Sequence, residues 1–427
     1  MVIHVIEPGE TAYTIANEYG VSAQWIIREN GIVNPLDLAV GNALVILFPK
    51  ITHTIVEGDT LEKIAQMYNV TIMDLLRNNS YLSDLEYLQV GDVIVIEYED
   101  EKKSNLTVTG YSYHFTDERV LRKTLPYLTY LMISSLYIDE NGIIRENDDK
   151  RVIEYSKVYG VAPILSIEFK NKGSKKATDV LHSILNDAIL RDAIIEGITT
   201  VLVKKGYSGV GFGPVYVYPS DREKYIEFMN EIISCVHNLG LIVIDTTIPK
   251  TFGLISDVFS TYNYIFSVNQ LTDLSVVFPY SVGLSIVAPT GISSYHALID
   301  MINYVLDYIE PDILQLGINT VGYIWELPYI PGESEGNAIS VTSAVQLAKD
   351  FDIPIQFDEG TQAAFFSYED GNREYLIRYR DARSIATYMN VVDEYDLRGI
   401  GVWNITSFFN GLWLIVNSQY KIDKIDL

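Results

Sequence analysis

The opening hundred residues repeat themselves: residues 1–49 and 51–98 align at a spacing of 49. A repeat that short limits each copy to a small unit with its own few core residues. Glu7-Pro8-Gly9-Glu10-Thr11 returns as Val56-Glu57-Gly58-Asp59-Thr60, with the Gly-acid-Thr core in register. Ile15-Ala16 returns as Ile64-Ala65, Tyr19 as Tyr68 and Asn30 as Asn79; Val40-Gly41 returns as Val90-Gly91, one residue further on. His4-Val5-Ile6 and His53-Thr54-Ile55-Val56 read as short strands. Thr11 and Thr60 follow a tight turn and cap the helix that begins there. A second helix follows at Ala23–Glu29 or Ile72–Asn78, and a last strand at Ala43–Phe48 or Val93–Glu97 closes a βααβ unit.

These two units resemble LysM modules, which bind glycans containing N-acetylglucosamine. The resemblance implies a shallow sugar groove between the turn after the first strand and the loop after the second helix. In module 1 (residues 1–49) that groove is Gly9, Glu10, Thr11 and Ala12 with Asn30 to Leu38. In module 2 (residues 50–98) it is Gly58, Asp59, Thr60 and Leu61 with Asn79 to Leu88. Ala12 stands where the family has Leu, which weakens the expected first site.

Residues 99–106, EDEKKSNL, are charged and polar and read as a linker. Beyond them apolar, β-rich runs alternate with amphipathic helices through residues 107–427. The strands expected are Thr107–Tyr113, Leu128–Tyr137, Ala162–Ile167, Gly209–Val217, Leu241–Thr246, Leu274–Pro279, Ile313–Ile318 and Gly399–Trp403. Helices are expected at Asp148–Tyr159, Lys176–Lys205, Asp221–Leu239, Tyr295–Tyr308, Ser340–Phe351 and Ala382–Tyr395. The expected fold is therefore α/β: a (β/α)8 TIM barrel preceded by two small βααβ domains. Sites in such barrels lie at the C-terminal strand ends, here rich in Tyr111, Tyr113, Tyr137, Tyr216, Tyr280, Tyr323, Trp325 and Trp403. Aromatic faces of this kind suit pyranose rings.

The barrel resembles glycoside hydrolase family 18, and within it the bacterial spore germination and cortex-lytic glucosaminidases that pair LysM modules with this barrel. The matching stretches include Gly206-Tyr207-x-Gly209-Val210, Asn337-Ala338-Ile339-Ser340, Ile353-Pro354-Ile355-Gln356-Phe357-Asp358-Glu359 and Leu397-Arg398-Gly399-Ile400-Gly401-x-Trp403. The family cleaves by substrate-assisted catalysis, from a fourth-strand motif Asp-Gly-x-Asp/Asn-x-Asp-x-Glu. Here that stretch reads Ser208-Gly209-Val210-Gly211-Phe212-Gly213-Pro214-Val215, so Ser208, Gly211, Gly213 and Val215 replace every acidic position. Val215 has no proton to give. In the sixth strand the family's Tyr-Asp becomes Tyr280-Ser281. Glu168 and Asp245 end other strands, but neither stands where the family's acid does.

The expectation is a non-catalytic binder of peptidoglycan or another N-acetylglucosamine glycan in the bacterial spore envelope, without activity. Its expected contacts are the groove residues and Tyr111, Tyr137, Tyr216, Tyr280, Trp325 and Trp403. One alternative is a self-assembling spore coat protein that docks on other spore-layer proteins or itself. The other is an active N-acetylglucosaminidase acting on cortex fragments through Glu168 or Asp245. No cofactor and no metal are expected, because the six histidines show no ligand spacing. A formal net charge of -25 argues against nucleic acid and anionic membranes. The first residues lack a basic and an apolar region, so synthesis in the cytoplasm without a signal peptide is expected.

Overall fold

The computed structural model describes residues 1–85, 87–139, 141–169, 177–213, 215, 217–247, 271–279, 294–330 and 333–425. Each opening module is a two-stranded antiparallel pair with two helices packed on it. Val2–Val5 pairs with Ala43–Ile46, and Pro49–Thr54 with Val93–Tyr98. Thr11 and Thr60 accept the capping bonds expected of them, from the amides of Thr14 and Lys63. Ile15 and Ile64 are fully buried, each the centre of a separate small core.

Eight parallel strands then close into a barrel: Ser104–Tyr113, Tyr130–Ile138, Ala162–Phe169, Gly209–Phe212, Ile242–Thr247, Leu274–Val277, Leu314–Asn319 and Gly399–Trp403. The first strand pairs with both the second and the eighth, which completes the ring. It begins at Ser104, inside the segment expected to be a linker. Alternate residues point inward, and Tyr111, Met132, Ile164, Ile244, Val276 and Phe278 fill the lumen. Glycines on the neighbouring seventh and eighth strands make room for the last of them. A Cβ on Gly317 would lie 2.3 Å from the Phe278 ring, and one on Gly401 would lie 2.3 Å from Val276.

Three departures from the expected elements have local causes. The helical run expected over Lys176–Lys205 is two helices, Ala177–Leu185 and Ala188–Lys205. Asp187 restarts the chain by accepting from the amides of Ile189 and Leu190 at 3.0 and 3.1 Å. The fourth strand stops at Phe212, because Gly213 ends the ladder and Val215 packs against the outer core. A five-stranded antiparallel sheet, absent from the sequence reading, sits between the seventh and eighth barrel strands, with Val321–Leu327 and Arg373–Tyr379 paired near its middle. Short half-buried strands such as these carry a weak apolar alternation.

Both modules dock on the barrel rather than hanging from it. Their residues Ala39, Val45, Leu47, Val95 and Tyr98 belong to the same continuous core as the outer barrel layer. In module 1 the Ile355 amide donates to Val40 O at 2.9 Å, and Arg383 Nη2 donates to Gly41 O at 3.1 Å. Asn410 Nδ2 donates to Glu29 O at 2.6 Å. A Cβ on Gly41 would sit 2.0 Å from Ile355 O, whereas Gly91, its counterpart in module 2, has open space around it. Module 2 docks elsewhere: Arg77 Nη1 donates to Pro126 O at 2.9 Å, and the Tyr127 hydroxyl donates to Arg77 O at 2.8 Å.

Candidate active site

The lumen opens at the C-terminal strand ends into a cleft of ≈ 190 Å³ lined by Tyr111, Tyr113, Ser134, Ser166, Glu168, Gly213, Thr246 and Trp403, among others. Its floor is aromatic. Tyr111 lies 5.4 Å from Trp403 and 5.7 Å from Phe278, and Tyr113 lies 6.4 Å from Trp403. The Tyr111 hydroxyl shares a 2.7 Å hydrogen bond with Thr246 Oγ1, and burial raises its pKa well above the usual phenol value. Phe115 extends the wall outward, stacked on Tyr113 at 5.1 Å with 65% of its surface exposed. Nothing in the sequence pattern singled out Phe115.

Glu168 is the one carboxylate among the described residues lining this cleft. It stands near the end of the third strand, on the inward face shared with Ile164 and Ser166. Ser134 Oγ donates to its Oε1. A bulge after Ser134 turns Tyr137 to the same side, directly opposite Glu168 in the register. Burial raises the Tyr113 hydroxyl pKa, and the charges of Glu168 and then Tyr137 raise it further, which puts the three groups together.

Asp245 takes the other face. Ile244 and Thr246 point inward, so Asp245 points toward the helices, where it accepts from the Thr247 hydroxyl at 2.7 Å. Burial pushes its carboxyl from 3.8 up to about 6, against the opposite pull of the Thr247 bond. The folded chain thus holds this proton more tightly than the unfolded chain. The resulting stabilisation is full below the unfolded value and is lost as pH rises through about 6. Asp245→Asn is expected to gain stability relative to the native chain across that window. Urea midpoints of both proteins at about pH 4 and about pH 7 measure it, and a pH-independent difference overturns it.

The degenerate fourth-strand positions divide in the same way. A Cβ on Gly211 would lie 2.2 Å from Met132 Cε, so a lumen side chain occupies the space an acid would need. Gly213 has nothing within 4 Å of that point and opens into the cleft. Val215 and Ser208 are half-buried, and Val215 leans on the outer core. Gly211→Ala is expected to cost about 1–3 kcal/mol by overpacking and Gly213→Ala less than about 0.5 kcal/mol, as read by thermal unfolding. Equal losses would contradict this packing. Tyr216, Tyr280 and Ser281 lie outside the described residues, as does Pro214.

Other expected contacts have different surroundings. Trp325 is only 3% exposed, packed beneath Gly336 in the inserted sheet, and does not face the cleft, because the five-stranded sheet buries its inner side. Asn30 and Asn79 spend their amides inside the modules. Asn79 Nδ2 donates to Leu75 O and Val95 O, and its Oδ1 accepts from the Val95 amide; Asn30 repeats this with Ile26 and Val45. They staple helix to strand and have little left for sugar. Glu10 and Asp59 close their turns: each accepts from the ring of His4 or His53 at 2.9 Å, and those rings bond the Tyr19 or Tyr68 hydroxyl at 3.1 Å. The Val56 amide and then His53 hold the Asp59 carboxyl below its usual range. The turns carrying Gly9, Thr11, Gly58 and Leu61 remain at the surface, and in module 2 Val56, Tyr87 and Val90 are exposed beside them.

Two turn-and-helix modules docked on a closed eight-stranded barrel, with an inserted sheet and an aromatic cleft at its mouth, define a glycosidase-type barrel with attached LysM domains. The LysM domain model matches residues 4–47 and 53–97. The chain belongs to the family of the cortical fragment-lytic enzymes. It is 32% identical to the cortical fragment-lytic enzyme of Bacillus subtilis (strain 168), covering 99% of both chains, and 30% identical to that of Bacillus anthracis, again covering 99% of both. The crystal structure of the spore cortex-lytic enzyme SleL of Bacillus megaterium QM B1551 is similar at a TM-score of 0.80 with 25% identity, covering 99% of this chain and 98% of that one. A chitinase from Chromobacterium violaceum shares the fold at a TM-score of 0.65 and 16% identity, covering 73% of this chain and 98% of that one. The expectation of a non-catalytic binder without enzyme activity is overturned by these full-length relatives, which are named for lysis. The names likewise give no support to a coat protein. That expectation set Glu168 and Asp245 aside because neither stands where the family's acid does; Glu168 nonetheless lines the cleft. Among the described residues no helix is long and apolar enough to cross a membrane.

Proposed function

We propose that the chain is a glycosidase that cleaves N-acetylglucosamine-containing fragments of spore cortex peptidoglycan, with Glu168 as its general acid. The observation that carries this reading is Glu168 itself, an inward carboxylate in an aromatic cleft at the barrel mouth. A sugar ring stacks on Tyr111, Tyr113 and Trp403. Glu168, protonated, gives its proton to the leaving glycosidic oxygen as the bond to the anomeric carbon breaks. The substrate's acetamide oxygen closes on that carbon, as the resemblance to family 18 implies, and water then adds at the same carbon and reopens the ring, its proton passing to the Glu168 carboxylate. The Ser134 hydroxyl orients the carboxyl. The grooves at Gly9–Thr11 and Gly58–Leu61 hold the same glycan away from the cleft and keep the enzyme on its polymer. The site of action is the spore cortex.

The test is incubation of the purified chain with muramidase-released cortex fragments, followed by mass spectrometry of the products. New reducing ends that accumulate with time and enzyme support the reading. A fragment pattern unchanged at every enzyme loading sinks it.

A further inference from the structure

A second cleft, of ≈ 400 Å³, opens where module 1 meets the barrel, and it has more than twice the volume of the ≈ 190 Å³ barrel cleft. One wall is the loop at Gly31–Asn34 with Asn42; the other is the face of helix Val341–Asp350 carrying Thr342 and Val345; Phe409 and Asn410 join them. The cleft shares the Asn30–Leu38 stretch with the groove expected of module 1, but its other wall is the barrel helix Val341–Asp350 rather than Gly9, Glu10, Thr11 and Ala12.

The walls are held at a set distance. Lys349 Nζ meets Asp37 Oδ1 at 2.5 Å across the seam, Asn410 is bonded to Glu29 O, and a Cβ on Gly31 would lie 3.0 Å from Asn410 Oδ1. A cleft walled by two bodies locked this way is preformed, and its volume falls in the range of small-molecule sites. Its lining selects a class of ligand. The Asp37 charge is already met by Lys349, and the Asp350 carboxylate accepts from Gln346 at 2.7 Å. Beside that carboxylate the rest of the lining is uncharged: apolar surface from Ile32, Val345 and Phe409, and the side chains of Asn42 and Thr342, which bond no protein group among the described residues. Apolar faces beside free amide and hydroxyl groups fit a neutral sugar, which pairs C–H faces with hydroxyl and acetamide groups.

The two clefts also lie on one path. Trp403 and Asn404 line the barrel cleft, and Phe409 and Asn410 line this one. The five Cα steps from Asn404 to Phe409 span at most about 18 Å. That is the reach of a short oligosaccharide.

We infer that this interdomain cleft is a second saccharide site, which holds the part of a glycan strand extending beyond the barrel cleft, so that module 1 and the barrel together sense substrate length. The inference takes its substrate from the function proposed above. It is tested on the full chain with Thr342→Trp, which fills the cleft from an exposed position, and Asn42→Ala, which removes a free amide. Calorimetric titration with N-acetylglucosamine hexamer is expected to lose one binding event in Thr342→Trp and to weaken about threefold or more in Asn42→Ala. The KM penalty on cortex fragments should grow with fragment length in both. Native stoichiometry and affinity in both variants, with thermal unfolding unchanged, overturn the inference. The titration reads binding alone, so a wild-type chain that cleaves nothing while losing the event in Thr342→Trp refutes the glycosidase reading and keeps this site.

Discussion

Glu168→Gln is expected to cut turnover of cortex fragments by about 10²–10⁴-fold, the usual worth of a positioned general acid. Gln keeps the size of the side chain and an oxygen that can accept from Ser134 Oγ, so the cleft stays built. It has no proton of suitable acidity to give the leaving oxygen. The loss should therefore fall mainly on kcat, with KM near native, since the stacking faces of Tyr111, Tyr113 and Trp403 are untouched. Asp245→Asn is the matching control: its carboxyl faces the helix layer, and turnover should stay near native. A Glu168→Gln protein with native kcat would remove Glu168 from the chemistry and direct attention to the loops around the mouth.

The second large effect is on stability. Trp413→Ala is expected to cost about 3–5 kcal/mol, the range for emptying a buried aromatic site. Trp413 is 2% exposed and stacked on Tyr127 at 5.0 Å. Tyr127 in turn bonds Arg77 O in module 2 and lies in the core shared by modules and barrel. The cavity would thus open behind a domain seam, where neighbours cannot close over it without undoing the docking. The guanidinium midpoint should fall accordingly, and limited proteolysis should cut faster around residues 99–103. A loss below about 1 kcal/mol would mean that the seam relaxes around the hole.

The barrel was legible because its strands are apolar β-rich runs between helices, and the structure places all eight within a few residues of the expected positions. The modules were legible because they occur twice: the spacing of 49 relates Glu10 to Asp59, Tyr19 to Tyr68 and Asn30 to Asn79. Repetition located these residues without saying what they do. Asn79 looked like a groove residue by position, yet its amide is consumed by three backbone bonds. The sheet inserted before the eighth strand was missed because short, half-buried strands leave little periodicity. Trp325 was misplaced with it, since an aromatic near a strand end was read as facing the mouth. The motif reading turned on Ser208, Gly211, Gly213 and Val215, and motif positions alone do not say which other carboxylates share the cleft.

What the residues by themselves determined, then, is the order of parts: two modules, a barrel, and around its fourth strand a stretch, Ser208 to Val215, that carries no acid. Local chemistry is enough for that, because strand alternation, capping and titratable groups are properties of neighbouring residues. Only the closed barrel decided that Glu168 and Asp245, both near strand ends, face opposite ways. The pleat sends one to the lumen and the other to the helices, and a bulge after Ser134 brings Tyr137 round to Glu168. Only docking decided that Gly41 is locked against Ile355 while its repeat partner Gly91 is free. Facing and docking are relations between residues far apart in the chain, set when distant surfaces pack.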